Sequence, residues 1–110
     1  MRDEISPFKA LDYIRDNSER YGSAKANVIY LQEFRKSKKS LLMNQSDAKT
    51  ESAKESYAYA HEEYQDHLQS IRIAIEEYES IRWKMIAAQA KIDVWRSLES
   101  SARMLDKAAT

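Results

Sequence analysis

The 110-residue chain contains no cysteine, one glycine (Gly22) and one proline (Pro7). Without cysteine there is no disulfide, no thiolate metal site and no thiol nucleophile, a composition suited to a reducing compartment. The residues that end strands and build tight turns are almost missing, which speaks against a β-rich or α/β fold. Excess charge of either sign is also lacking: 18 basic residues stand against 18 acidic ones. No net field then steers the protein to nucleic acid or to an anionic membrane, so any such contact must come from a local patch. No apolar run approaches the ~20 residues needed to cross a bilayer. The opening stretch carries Arg2, Asp3, Glu4, Lys9, Asp12 and Arg15 in place of an apolar signal core. These features lead us to expect a cytoplasmic protein with no membrane partner. With a single glycine there is no glycine-rich phosphate loop, and the serines are scattered without a strained turn or a suitably spaced histidine. The expectation is a non-enzyme with no cofactor.

What is present favours helix. Hydrophobic residues make up 43% of the chain, enough for one core. Ala, Glu, Lys, Arg, Leu, Met and Gln, the best helix formers, make up much of the chain. Residues 1 to 50 have a net charge of +3 and residues 51 to 110 a net charge of −3, which suits antiparallel packing of one half on the other. The expected fold class is all-α: a long, coiled-coil-like antiparallel hairpin of two helices in a single domain.

Ser6 before Pro7 reads as a helix start, since serine caps free amides and proline suits the first helical position. From there Phe8, Leu11, Ile14, Tyr21, Ala24, Val28, Leu31, Phe34, Leu41 and Leu42 recur at steps of three and four, predicting one helix over about 7–44. Gly22-Ser23 is a candidate break. The apolar face keeps its phase across it, which favours a continuous helix, bent there at most. Residues 45–51 include no large apolar side chain and read as the connection. Ser52 with Glu55 is a capping-box pattern, predicting a second helix over about 52–106.

In that second helix Tyr57, Tyr64, Ile71, Tyr78, Met85 and Ile92 recur every seven residues, with Ala60, His67, Ala74, Ile81, Ala88, Trp95 and Ala102 as the partner position. Such a repeat is a coiled-coil seam. A separate apolar line, Trp83, Ile86, Ala87, Ala90, Val94 and Leu98, lies on another face. One partner helix covers one stripe, so the second predicts a homo-oligomer, most simply a dimer in a four-helix bundle, with Trp83, Ile86, Ala90, Val94 and Leu98 as its interface. The competing arrangement is a three-helix monomer in which helix one breaks at Gly22 and covers both faces.

Three constellations invite chemistry. Arg35, Lys36, Lys38 and Lys39 form the densest basic cluster and are the candidates for contacting nucleic-acid phosphates. The plainer alternative pairs them with Glu62, Glu63 and Asp66 after the chain folds back. His61-Glu62-Glu63-Tyr64-Gln65-Asp66-His67 gathers imidazoles and carboxylates, but His61 and His67 are six residues apart and point different ways. Glu63 and His67 share a face and make half a site, so no metal is expected. Tyr57, Tyr64, Tyr78 and Trp95 fall on the seam, where an aromatic ring fills core volume more readily than it stacks on a base.

The segments Tyr30-Leu31-Gln32-Glu33-Phe34-Arg35-Lys36-Ser37, Tyr57-Ala58-Tyr59-Ala60-His61-Glu62-Glu63-Tyr64 and Arg82-Trp83-Lys84-Met85-Ile86-Ala87-Ala88-Gln89-Ala90 resemble a group of small helical bacteriophage and prophage proteins. The resemblance implies an accessory protein like those encoded near replication and recombination genes, in the cytoplasm of a bacterial host. It carries over no catalytic residue. The function expected is binding of a protein partner, in phage DNA replication or recombination or in inhibiting a host factor, with nucleic-acid binding through residues 35–39 as the alternative.

Overall fold

The structure is a computed structural model and describes residues 5–109. Among the described residues it is all-helical, without strands: α1 spans Pro7–Gln45, α2 Glu51–Ala60 and α3 Glu62–Ala109. No helix among them is long and apolar enough to cross a membrane.

Helix α1 begins as its first residues dictate: the Ser6 hydroxyl accepts from the Lys9 amide at 3.3 Å, and the Ser6 carbonyl accepts from the Ala10 amide at 3.2 Å. Gly22 sits inside α1 without positive φ, and a Cβ there would meet nothing within 4 Å. The helix continues through it because Tyr21, Ala24 and Val28 keep one face turned inward. After Gln45 the chain turns through 46–50. Thr50, in extended conformation, caps α2 by accepting from the Ala53 amide at 3.1 Å. The expected Ser52–Glu55 box is therefore not the cap. Ser52 lies within α2, and the Glu55 carboxylate instead faces Lys39 on α1 at 3.7 Å.

The expected continuous second helix is interrupted. α2 ends at Ala60, His61 adopts φ −66° and ψ 139°, and α3 restarts at Glu62. The break needs neither glycine nor proline because nearby groups satisfy the backbone atoms it releases. The His61 amide donates to Ala58 O at 3.2 Å, the Gln65 side-chain amide to Tyr59 O at 2.7 Å, and the Glu63 amide to His61 Nδ1 at 3.0 Å. His61 thus closes α2 and caps α3 together. The interruption also shifts the inward face. Ala58, fully buried, takes the place expected for Tyr57 and Ala60, both of which are exposed.

The chain divides into two compact units. One is continuous from Gly22 to Glu79. In it Leu42, Ala58 and Tyr64 form a buried cluster flanked by Met43 and Leu68. Leu31 of α1 meets His67, and Lys39 meets Glu55 and Tyr59, so here α1 runs antiparallel to α2 and the start of α3. The other unit joins the stretch up to Tyr21 with that from Ser80 onward. There Ala10, Ala88 and Ile92 are buried together, with Tyr13 and Ile14 against them.

Burial along α3 follows the seam closely between Tyr64 and Trp95: Tyr64, His67, Ile71, Ala74, Ile81, Ala88 and Ile92 are buried, and Tyr78, Met85 and Trp95 half-buried. Beyond Trp95 every described residue is exposed, including Ala102. On α1 the inward positions are Pro7, Ala10, Ile14, Asn17, Tyr21, Ala24, Val28, Leu31, Phe34, Lys38 and Leu42, again steps of three and four. Phe8, Leu11 and Leu41, expected in the core, are exposed. Small or polar residues hold several of their places. The half-buried Asn17 satisfies its amide locally, donating to Tyr13 O at 2.9 Å.

Candidate functional site

Three places gather the residue types that carry function, and the structure treats them differently. The basic cluster occupies one stretch of α1. Arg35 and Lys36 are exposed, and Lys36 Nζ lies 3.4 Å from Glu33 one turn earlier. Lys38 and Lys39 are half-buried. The Lys38 ammonium sits 6.0 Å from the Phe34 ring centroid. The Lys39 ammonium sits 4.9 Å from the Tyr59 ring centroid and 3.7 Å from Glu55. Hydrogen bonding to Tyr59 and then the Glu55 carboxylate hold the Lys39 ammonium above the ordinary lysine range. The pairing expected with Glu62, Glu63 or Asp66 is replaced by Glu55, because the break at His61 sets α2 opposite this part of α1. Partly exposed pairs of this kind add little stability. They do engage two of the four cations that would have to meet phosphate.

The histidine and carboxylate cluster is taken up by structure. His67 is buried, its Nε2 2.7 Å from Leu31 O and its ring 5.7 Å from Phe34. A carbonyl only accepts, so Nε2 carries the hydrogen and is committed to α1. His61 Nδ1 accepts the Glu63 amide, and the Glu63 carboxylate lies 3.9 Å from that same nitrogen on His61. Among the described residues no group of three or more His, Asp and Glu side chains is placed to hold a metal ion. The aromatic rings here pair with one another: Tyr59 with Tyr64 at 5.2 Å, and Tyr57 with His61 at 5.6 Å. Tyr57 therefore serves the helix junction, not the seam.

The third place is the outer face of α3. Trp83 is 59% exposed, and Ile86, Ala90, Val94 and Leu98 are exposed with it. At about 100° per residue this line lies roughly 150° around the helix from the buried seam of Ile81, Ala88 and Ile92. α1 therefore cannot reach it. The Arg82 guanidinium lies 5.2 Å from the Trp83 ring centroid, a cation–π contact that leaves most of the indole open. Sequence reasoning missed Met104 and Leu105, exposed in the last turns of α3. Their signal was present: Leu105 follows Leu98 by seven residues, the same repeat that marks the seam.

No family model matches the chain, and no curated protein and no solved structure matches it.

Proposed function

We propose that this chain is a homo-oligomeric helical binding protein without a catalytic step, an accessory protein of the phage or prophage type its sequence resembles. The observation that supports this most is the exposed apolar line Trp83, Ile86, Ala90, Val94 and Leu98 on the side of α3 turned away from α1. Single exposed apolar residues are ordinary, but a contiguous row along one helix face is the pattern of a binding surface. Two copies burying it would bring two α1–α3 pairs side by side as a four-helix bundle. The wild-type protein should sediment as a dimer at micromolar concentration, and Val94→Glu should weaken that association by at least about tenfold by burying an unpaired carboxylate. Because Val94 is exposed, the helical circular-dichroism signal should persist in the variant. A wild-type protein that stays monomeric would overturn the reading.

The assembled bundle would then present a fixed surface to a protein partner, in phage DNA replication or recombination or as an inhibitor of a host factor. Capture of that partner from infected or lysogenic host extract should survive nuclease treatment. Capture that disappears with nuclease, and on replacing Arg35, Lys36, Lys38 and Lys39 by alanine, would transfer the function to nucleic-acid binding.

A further inference from the structure

Helix α2 faces α1 with its less apolar side. Ala53, Tyr57 and Ala60 are exposed, whereas the half-buried residues beside fully buried Ala58 include Lys54 and Glu55. The exposed three are also the positions that extend the α3 seam backwards. Tyr57 precedes Tyr64 by seven residues and Ala60 precedes His67 by seven, so in a continuous helix they would face α1 together with Tyr64, His67 and Ile71. The observed inward line, Lys54, Ala58 and His61, lies one residue later, about 100° around the helix. α2 therefore carries two inward faces, and the more apolar one is outside.

A single residue selects between them. The φ of His61, −66°, is already helical, and only its ψ of 139° departs from the helical value of about −42°. No glycine, proline or positive φ fixes the break. Backbone bonding is nearly balanced between the two arrangements. In the broken form Ala58 O accepts from the His61 amide, Tyr59 O from the Gln65 side chain, His61 Nδ1 from the Glu63 amide and His61 O from the Tyr64 amide. In a continuous helix the Glu62, Glu63 and Tyr64 amides would bond the Ala58, Tyr59 and Ala60 carbonyls instead. The Ala58 and Tyr59 carbonyls and the Glu63 and Tyr64 amides are thus satisfied either way. Side chains hold the broken form: the Gln65 and His61 caps, Ala58 packed with Leu42, and Lys39 set against Glu55 and the Tyr59 ring.

We infer that α2 is one arm of a two-position switch hinged at His61. In the straight position α2 joins α3 and turns by about one residue's rotation, so that Ala53, Tyr57 and Ala60 face α1 and Ala58 faces outward. Glu55 and Tyr59 then leave Lys39, because Glu55, two residues before Tyr57, lies about 200° around the helix from it. The hinge is thereby coupled to the basic cluster: an anionic group that takes the Lys39 ammonium in place of Glu55 favours the straight position. None of this depends on self-association through the outer face of α3.

The chain has no cysteine, so single cysteines can report the turn of α2 through their alkylation rates. Ala53→Cys and Ala60→Cys mark the face that moves inward. Ser52→Cys is exposed and lies on the outer side of the straight helix as well, which makes it the control. With His61 and Gln65 in place, all three should react at similar rates. Adding His61→Ala and Gln65→Ala removes both caps, and positions 53 and 60 should then react at least about tenfold more slowly, with position 52 unchanged. Helicity by circular dichroism should hold or rise, since alanine is the best helix former. Rates at 53 and 60 that stay level with that at 52 would overturn the switch. A fall in helicity would also overturn it, because His61 and Gln65 would then serve only to keep α2 folded.

Discussion

Ile81→Asp should abolish the cooperative thermal transition of the wild-type protein, or lower it to near room temperature, when helicity is followed by circular dichroism. Ile81 is 1% exposed and sits at the middle of the α3 seam. The change removes a buried aliphatic side chain and leaves a carboxylate that must either take up a proton or remain charged away from water. An uncompensated buried charge costs about 3–5 kcal/mol, before the lost apolar burial is added. A small domain has only about 5–15 kcal/mol to lose. The control is Glu76→Ala. Glu76 pairs with Arg72 at 2.6 Å, but both side chains are well exposed, so the loss should stay within about 1 kcal/mol. An unchanged melting temperature in Ile81→Asp would mean that the inward face of α3 is elsewhere.

The second large effect separates two adjacent leucines. Leu42→Ala should destabilise the protein by about 2–5 kcal/mol in urea unfolding, because Leu42 is 1% exposed in the cluster with Ala58 and Tyr64 and its removal leaves a cavity. Leu41→Ala should change stability by no more than about 0.5 kcal/mol, since Leu41 is 54% exposed. Both residues belong to the apolar pattern that marks α1 in the sequence, so composition and spacing alone do not distinguish them. Equal losses in the two variants would contradict the observed face of α1.

That pair shows where the sequence is legible and where it is not. The α3 seam is readable from Tyr64 to Trp95 because large residues and alanines alternate at its positions in strict heptads, and burial follows them. The α1 seam is obscured because Pro7, Ala10, Asn17 and Lys38 occupy inward positions while Phe8, Leu11 and Leu41 point out. A search for bulky apolar residues selects the wrong neighbours there. Small residues on α1 are what the large residues of α3 require: Ala10 packs with Ile92 and Ala88. The break at His61 is hidden for a different reason. It uses no helix-breaking residue. It depends on Gln65 reaching Tyr59 O and on an imidazole nitrogen accepting the Glu63 amide, contacts whose geometry no local propensity encodes. The exposed line on α3 is legible as far as Leu98. Leu105, seven residues further on, carries the same signal, and the structure adds that it is exposed.

Taken by itself, the sequence determines the helical class, the start of α1 at Ser6 and Pro7 and the connection near residues 46–50. All of these follow from local preference and three-to-four-residue periodicity, which act within a few turns of chain. The tertiary structure alone decides which side of α1 is inward, that Lys39 meets Glu55, that Thr50 and not Ser52 caps α2, and that the second helix is divided at His61. Each of these depends on which groups a second helix brings within reach, and a one-dimensional pattern does not specify that neighbour.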